Sequence, residues 1–403
     1  MGVNQKFKSY LIKFFGCSSL LLIAILTFNL AIDPYGDFRL AEIKGINSEK
    51  VVAYRQGGRR KKANDIRHNS YDTIILGTSR AVYALNPQHS VFSERKVYNL
   101  GLTGTNMYEI YQAYQYTRQN QDLDVVIFSL DFLAFSNKRT VSGDFYKSRF
   151  SSKNNLFSKV TEFISLYKLE YSIETIQSNK QGKVLNEIGG FIEQESEDLE
   201  HRQAFDNILK NNFFSNQETY AGYTDSQQRL KLFREIVADC LANGIELRLF
   251  ISPVHARHLE AMAIMELFPT FEQWKRDLVT IVKEEAERFN QTSPTFWDFS
   301  GYNNITTEAI PPRGDKTKMQ WYLESSHYNR RLGNLLLDIV VRYPESVDDA
   351  PEDFGDLITV DNIEKHLTKI RHQQGLYRRN YTFEVAEVAK LFQQVNQEQS
   401  IKN

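Results

Sequence analysis

The sequence predicts an α/β fold: a parallel sheet covered by helices on both faces, with one membrane-crossing helix ahead of it and a helical insertion within it. Three observations predict this. Short runs rich in Ile, Val and Phe alternate with stretches of helical periodicity. Phe14 to Ile32 is a run of 19 residues without a charge, which as a helix reaches roughly 28 Å, close to the thickness of a bilayer's hydrocarbon core. A long polar stretch with its own helical periods breaks the alternation between Asn137 and Glu218.

In order, the chain starts with a basic segment carrying Lys6, Lys8 and Lys13, followed by the apolar run and then by Asp33 and Asp37. This asymmetry predicts a single-pass anchor with the N-terminus in the cytoplasm and the main domain outside, at the inner (cytoplasmic) membrane. Cleavage as a signal peptide fits less well, because the apolar part is long and Asn29 would sit where a small residue is preferred. "IDPYGDF", Ile32 to Phe38, reads as the turn out of the membrane, and residues 34–70 read as a linker. Within it the basic tract Arg55 to Lys62 is expected to be solvated.

Strand-like Tyr71 to Leu76 opens the main domain, residues 71–343. A helix over Tyr108 to Gln119 and a strand over Asp124 to Leu130 follow. After the insertion, residues 137–218, come a helix over Asp225 to Ala242 closed by Gly244, and a strand over Ile245 to Ser252. A helix over Phe271 to Phe289, a strand over Thr295 to Ser300 and a helix over Tyr328 to Val341 complete the domain. Residues 344–403 read as an acidic turn and a polar helical extension.

Composition narrows the function. Lys plus Arg number 49 and Asp plus Glu 50, for a formal net charge of -1, so no general attraction to nucleic acid is expected. Cys17 and Cys240 lie in separate helical contexts and form no metal-binding spacing, and neither a metal nor a cofactor is expected.

Chemistry-bearing groups of a doubly wound sheet gather at the C-terminal ends of its strands. Ser79 falls just past the first such end, in "ILGTSR", where it is either a nucleophile or a turn serine that caps the next helix. Far downstream, "WYLESSHYNRRLG" holds His327 three residues after Glu324, just ahead of the last helix of the domain. A carboxylate and a histidine so spaced in a turn can converge, the carboxylate orienting the imidazole as a base; the alternative is a capping cluster with a surface histidine.

In the order of these pieces the chain resembles the SGNH/GDSL hydrolase superfamily. "ILGTSR" is similar to its first block, with Gly77-Thr78-Ser79 where Gly-Asp-Ser is usual. "YNLGLTGTNMYE" is similar to its second block, and "ESSHYN" to its last, with Glu324 in place of the usual Asp. The resemblance covers about Tyr71 to Tyr343 without the insertion. It implies a three-layer α/β domain, Ser79 as nucleophile, His327 as base, Glu324 as its orienting acid, and an oxyanion hole from the N–H groups of Ser79 and Gly104.

Two departures stand out. Asp131 occupies roughly the place of the family's third-block Asn, and an ionised carboxylate there would oppose an oxyanion unless it is protonated, turned away or otherwise employed. Arg80 directly after the serine has three roles open to it: pairing with Asp131, binding an anionic substrate group, or supporting the turn. With the anchor and the "DPYG" exit, the blocks look like the membrane-anchored extracytoplasmic branch of the superfamily, which includes proteins similar to those of polysaccharide O-acetylation and teichoic-acid D-alanylation. The resemblance implies a serine esterase or O-acyltransferase acting on a glycan or cell-surface polymer, with a membrane-bound acyl-transfer partner. Asp131 favours a competing expectation, a non-catalytic tethered scaffold or glycan-binding subunit with the same fold. His255 and His258 after the third strand-like run, and Asp298 and Ser300 at the end of the fourth, are further candidates for the cleft or its support. The insertion is expected either to form a lid or partner surface beside Ser79 or to be a remote appendage.

Overall fold

The structure, a computed structural model, describes all residues except 1–2, 51, 54–57, 152–160, 183–199, 222–226, 346, 348–349 and 403. The chain forms two compact units, Met1–Asn69 with Gly143–Asn186, and Ser70–Ser142 with Glu187–Asn403.

The first unit carries the helix Val3–Ile32. Its span Gln5–Ile32 is long and apolar enough to cross a membrane and has little of its surface buried. The turn after it is built by Asp33, whose carboxylate accepts the N–H groups of Asp37, Phe38 and Arg39 at 2.8–2.9 Å. Part of the basic tract corrects the expectation that it is solvated, and its residues 55–57 lie outside the described residues. Its residues 59–62 lie in the helix Gly58–His68, and Arg59, Arg60, Lys61 and Lys62 are all buried. Arg60 donates to Asp37 at 2.5 and 2.9 Å and to Glu162 at 2.8 Å, Lys61 pairs with Asp65 at 2.6 Å, and Arg59 with Asp144 at 3.2 Å. Apart from Asp65, one turn along the same helix, the acids that compensate these bases come from Asp37 and from the insertion, so the tract by itself shows a run of excess positive charge. Buried charges persist when so paired. The Arg60 guanidinium, working against the burial of Asp37, holds its carboxyl well below the usual range.

The second unit holds a six-stranded sheet: β1 Thr73–Leu76, β2 Val97–Asn99, β3 Val125–Leu130, β4 Glu246–Ile251, β5 Thr295–Asp298 and β6 Asp356–Leu357. Its order is β2-β1-β3-β4-β5-β6, parallel except for the antiparallel edge strand β6. Four strands fall where apolar runs predict them. The three residues of β2 and the two of β6 are too short to show a period. Side chains alternate between two cores, which is why both faces need helices. Ile75, Ile127 and Phe250 pack with Ala81, Ala84, Leu332, Leu336 and Val340 from the helices Ser79–Ala84 and Arg330–Arg342. On the other face Phe128 meets Phe233 of the helix Gln227–Ala242, with ring centroids 6.1 Å apart. The two helices of the first core touch closely: a Cβ on Gly333 would lie 2.0 Å from the carbonyl oxygen of Ala84, so only glycine lets them approach. This contact matters because the first helix begins at Ser79 and the second starts just after His327.

The C-terminal extension is packed rather than free. The fully buried Arg257 pairs with Glu384 at 2.8 Å and Glu387 at 2.9 Å of the helix Thr382–Lys402. The helix Ile363–Asn380 supplies His366 to Asp298 at the end of β5.

The chain runs from β1 outward to β2 and then crosses to β3 on the other side of β1, so connections leave the C-terminal ends of β1 and β3 in opposite directions. A crevice opens at such a switch point. Ser79 and Asp131 follow these two strand ends.

Candidate functional site

Thr78 is the N-cap of the helix Ser79–Ala84, which leaves Ser79 as its first residue with an N–H that no helical carbonyl can accept. Ser79 Oγ lies 2.7 Å from His327 Nε2. His327 Nδ1 in turn makes a short hydrogen bond to Glu324 Oε1. A carboxylate at Nδ1 requires the proton there, so Nε2 presents its lone pair and Ser79 O–H donates to it.

The turn that delivers Glu324 and His327 is closed by local bonds. Leu323 N–H donates to His327 O at 3.0 Å and Asn329 N–H to Trp321 O at 2.8 Å, with a bridge between Tyr322 and Tyr328. Glu324 Oε2 also accepts the Ser326 N–H at 2.7 Å, which orients the carboxylate. Asn329 then caps the helix Arg330–Arg342 by accepting the Leu332 N–H at 3.1 Å. The spacing of three residues thus serves the two side chains in one turn, and Tyr83 lies edge-on to the imidazole at 5.2 Å between ring centroids.

Arg80 and Asp131 form an ion pair. Asp131 also accepts a short hydrogen bond from Thr78 O–H. Arg80 Nε donates to Ser326 O at 2.7 Å and Nη2 to Ser326 Oγ at 3.2 Å. Of the three roles open to Arg80, pairing and turn support are both realised, by one guanidinium that ties the end of β3 to the Glu324–His327 turn.

Gly104 sits at the mouth of the crevice with φ of +59°, in the left-handed region that glycine enters without a steric cost. Its loop is fastened by Arg139 Nε, which donates to Gly104 O at 3.4 Å, and by Asn106 Nδ2, which donates to Arg139 O at 2.8 Å. Ser79, Arg80, Thr103, Gly104, Asp131, Arg139, His258 and His327 line one cleft of about 410 Å³. One further wall is formed by the end of the insertion and the residue after it, with Ile208, Asn212, Phe213, Asn216 and Thr219. Part of that wall is the π-helical segment Ile208–Phe213, an uncommon geometry that concentrates at functional sites. Nothing in the sequence marks these wall residues, nor Tyr83, Thr103 or Arg139, because which side chains face the cleft depends on segments far apart along the chain.

His258 belongs to the cleft, buried against Phe213 at 4.7 Å between ring centroids. Burial, reinforced by the charge of Arg80, pushes its pKa well below the usual histidine value, so it is neutral at physiological pH. His255 does not reach the cleft. It caps the helix Ala256–Ile264, accepting the Arg257 N–H at 3.2 Å and donating from Nε2 to Glu308 O at 2.8 Å. Burial lowers its pKa to about 3, which keeps it neutral.

Asp298 also lies apart from the cleft. It is fully buried and pairs with Lys275 at 2.6 Å and with His366 Nε2 at 2.8 Å, and it accepts the Ser300 N–H and O–H at 2.8 and 2.7 Å. The other His366 nitrogen faces Asp356 at 3.2 Å. Burial works against a charged His366, but the hydrogen bonds to Asp298 and Asp356 outweigh it and raise its pKa. A group whose pKa is raised on folding stabilises fully below its unfolded value, about 6.5 for histidine, and loses that contribution as pH rises through the folded value. Thermal melts of the full chain are therefore expected to fall as pH rises above about 6.5, and His366→Gln is expected to flatten that decline. An equally steep decline in His366→Gln would sink this account.

No protein-family model matches the chain, and no curated protein matches it either.

Proposed function

We propose that the second unit is an SGNH-type serine esterase or O-acyltransferase that acts on an extracytoplasmic glycan or cell-surface polymer. The observation that carries the reading is the chain of hydrogen bonds from Ser79 through His327 to Glu324, at 2.7 Å between Ser79 Oγ and His327 Nε2. Ser79 Oγ attacks an acyl carbonyl and its proton passes to His327 Nε2. The resulting imidazolium is stabilised by Glu324. The N–H groups of Ser79 and Gly104 hold the oxyanion. Collapse of the tetrahedral intermediate expels the leaving oxygen, which takes the proton from His327 and leaves the acyl group on Ser79. Water or a sugar hydroxyl, deprotonated by His327, then attacks the acyl-serine and regenerates the enzyme. The acceptor alone separates hydrolysis from transfer.

The Arg80–Asp131 pair supports a catalytic reading over a scaffold. Asp131 is the feature that would oppose an oxyanion, and here its charge is spent on a guanidinium and a threonine hydroxyl. The outward orientation rests on the apolar span and the lysines that precede it, with the first unit as anchor, and the polymer substrate on the resemblance to the membrane-anchored branch of the superfamily. The test is covalent labelling of the full chain with a fluorophosphonate. One phosphonylated residue, Ser79, is the expected product, with labelling lost in His327→Ala. An unlabelled Ser79 would point to the non-catalytic scaffold.

A further inference from the structure

Uncovered apolar side chains ring the C-terminal end of the anchor helix. Asn29, in the last turns of the helix Val3–Ile32, is fully buried; its Nδ2 donates to Phe163 O and its Oδ1 accepts from Ser172 Oγ, both at 2.8 Å. Around the same helix end, Asn47 Nδ2 donates to Ala31 O at 2.9 Å and to Ala41 O at 2.8 Å. These bonds hold two segments, residues 40–43 and 163–167, level with the end of the apolar run. At that level the unit exposes Leu40 by 71%, Ile43 by 52%, Leu166 by 72% and Tyr167 by 51%.

Such exposure is unfavourable in water, where each large apolar side chain gains by burial. We propose that Leu40, Ile43, Leu166 and Tyr167 form a collar that seats in the boundary between acyl chains and headgroups, in the leaflet where the anchor ends. The inference rests on the anchor crossing the bilayer. Two features select lipid as the occupant. The collar continues the exposed apolar surface of the anchor itself, which includes Leu20, Leu21, Leu22 and Ile23. The exposed stripe of the helix Leu166–Lys180 also changes along its length, from Leu166 and Tyr167 through Glu170 and Ile173 to Gln177 and Lys180. Its far end is fixed by Asn179, which accepts the Glu49 N–H at 2.9 Å. An apolar end with a tyrosine hydroxyl and a polar far end match a helix leaving an interface. The exposed acid within the collar, Glu42, is paired with Arg39 at 3.6 Å.

The test uses the full chain in phosphatidylcholine–phosphatidylglycerol vesicles whose lipids are brominated near the headgroup. A nitrobenzoxadiazole fluorophore is placed at Leu40→Cys, Leu166→Cys, Tyr167→Cys or Gln177→Cys in a Cys17→Ser background; Cys240 is buried. At the three collar positions, blue-shifted emission and quenching by bromolipid are expected, and at Gln177→Cys neither. Collar positions as unquenched as Gln177→Cys would overturn the proposal, as would a blue shift without quenching, which signals a protein cover instead of lipid. The same fluorophore on native Cys17, in vesicles brominated deep in the acyl chains, reports the anchor separately: no quenching there rejects the membrane span, whereas quenching there with an unquenched collar rejects the collar alone.

Discussion

Ser79→Ala is expected to lower kcat/KM for an activated acyl ester by about 10³-fold or more, because the residual rate over water then comes only from binding and the oxyanion donors. His327→Ala should cost about as much, since the two act as one unit and their losses do not add. Glu324→Gln probes the third member more selectively. It keeps the size of the side chain that holds His327 Nδ1 but favours the wrong tautomer and no longer stabilises the imidazolium. A loss of about 10²–10⁴-fold, mainly in kcat, is expected. Steady-state rates of the purified full chain, with single-turnover measurements of acyl-serine formation, read all three. Turnover by Ser79→Ala equal to that of the native chain would remove Ser79 from the mechanism.

The second large effect concerns Arg80 and Asp131, whose side chains are only 13% and 3% exposed. Removing one partner of a buried pair leaves an uncompensated charge and costs about 3–5 kcal/mol. Arg80→Met is therefore expected to destabilise the protein by about that much, and denaturant unfolding measures it. Replacing both, as Arg80→Met with Asp131→Leu, should recover most of the loss, because neither charge is then stranded. The same comparison bears on catalysis. With Arg80→Met alone, a carboxylate freed in the cleft opposes the developing oxyanion, and kcat should fall while KM changes little. A stability change under about 1 kcal/mol in Arg80→Met, the level of an exposed ion pair, would show that the pair is not buried in solution.

The two halves of the site were legible to different degrees. Ser79 could be placed because a short apolar run ends in Gly77, and because helix caps and nucleophiles both favour a serine at that point. Only the contact with His327, 248 residues away in sequence, favours one reading over the other. Arg80 and Asp131 were visible as departures from a pattern, but their sequence positions carried no sign that the two charges meet. His255 and Asp298 show the converse. Both follow strands, where functional groups gather, yet one caps a helix and the other anchors His366 and Lys275.

The elements with a strong local cause were decided by the sequence itself. The apolar span, four of the six strands and the helices that cover them follow from side-chain period and from the cost of leaving apolar surface or backbone polar groups unsatisfied. Where a charged group goes was decided by tertiary structure alone. Arg59 to Lys62 read as a solvated tract, yet they are buried, with Asp65 of their own helix joined by Asp37 from the turn before it and by Asp144 and Glu162 from the insertion. Whether a charge can leave water depends on what faces it, and in this chain the facing group is up to about a hundred residues away.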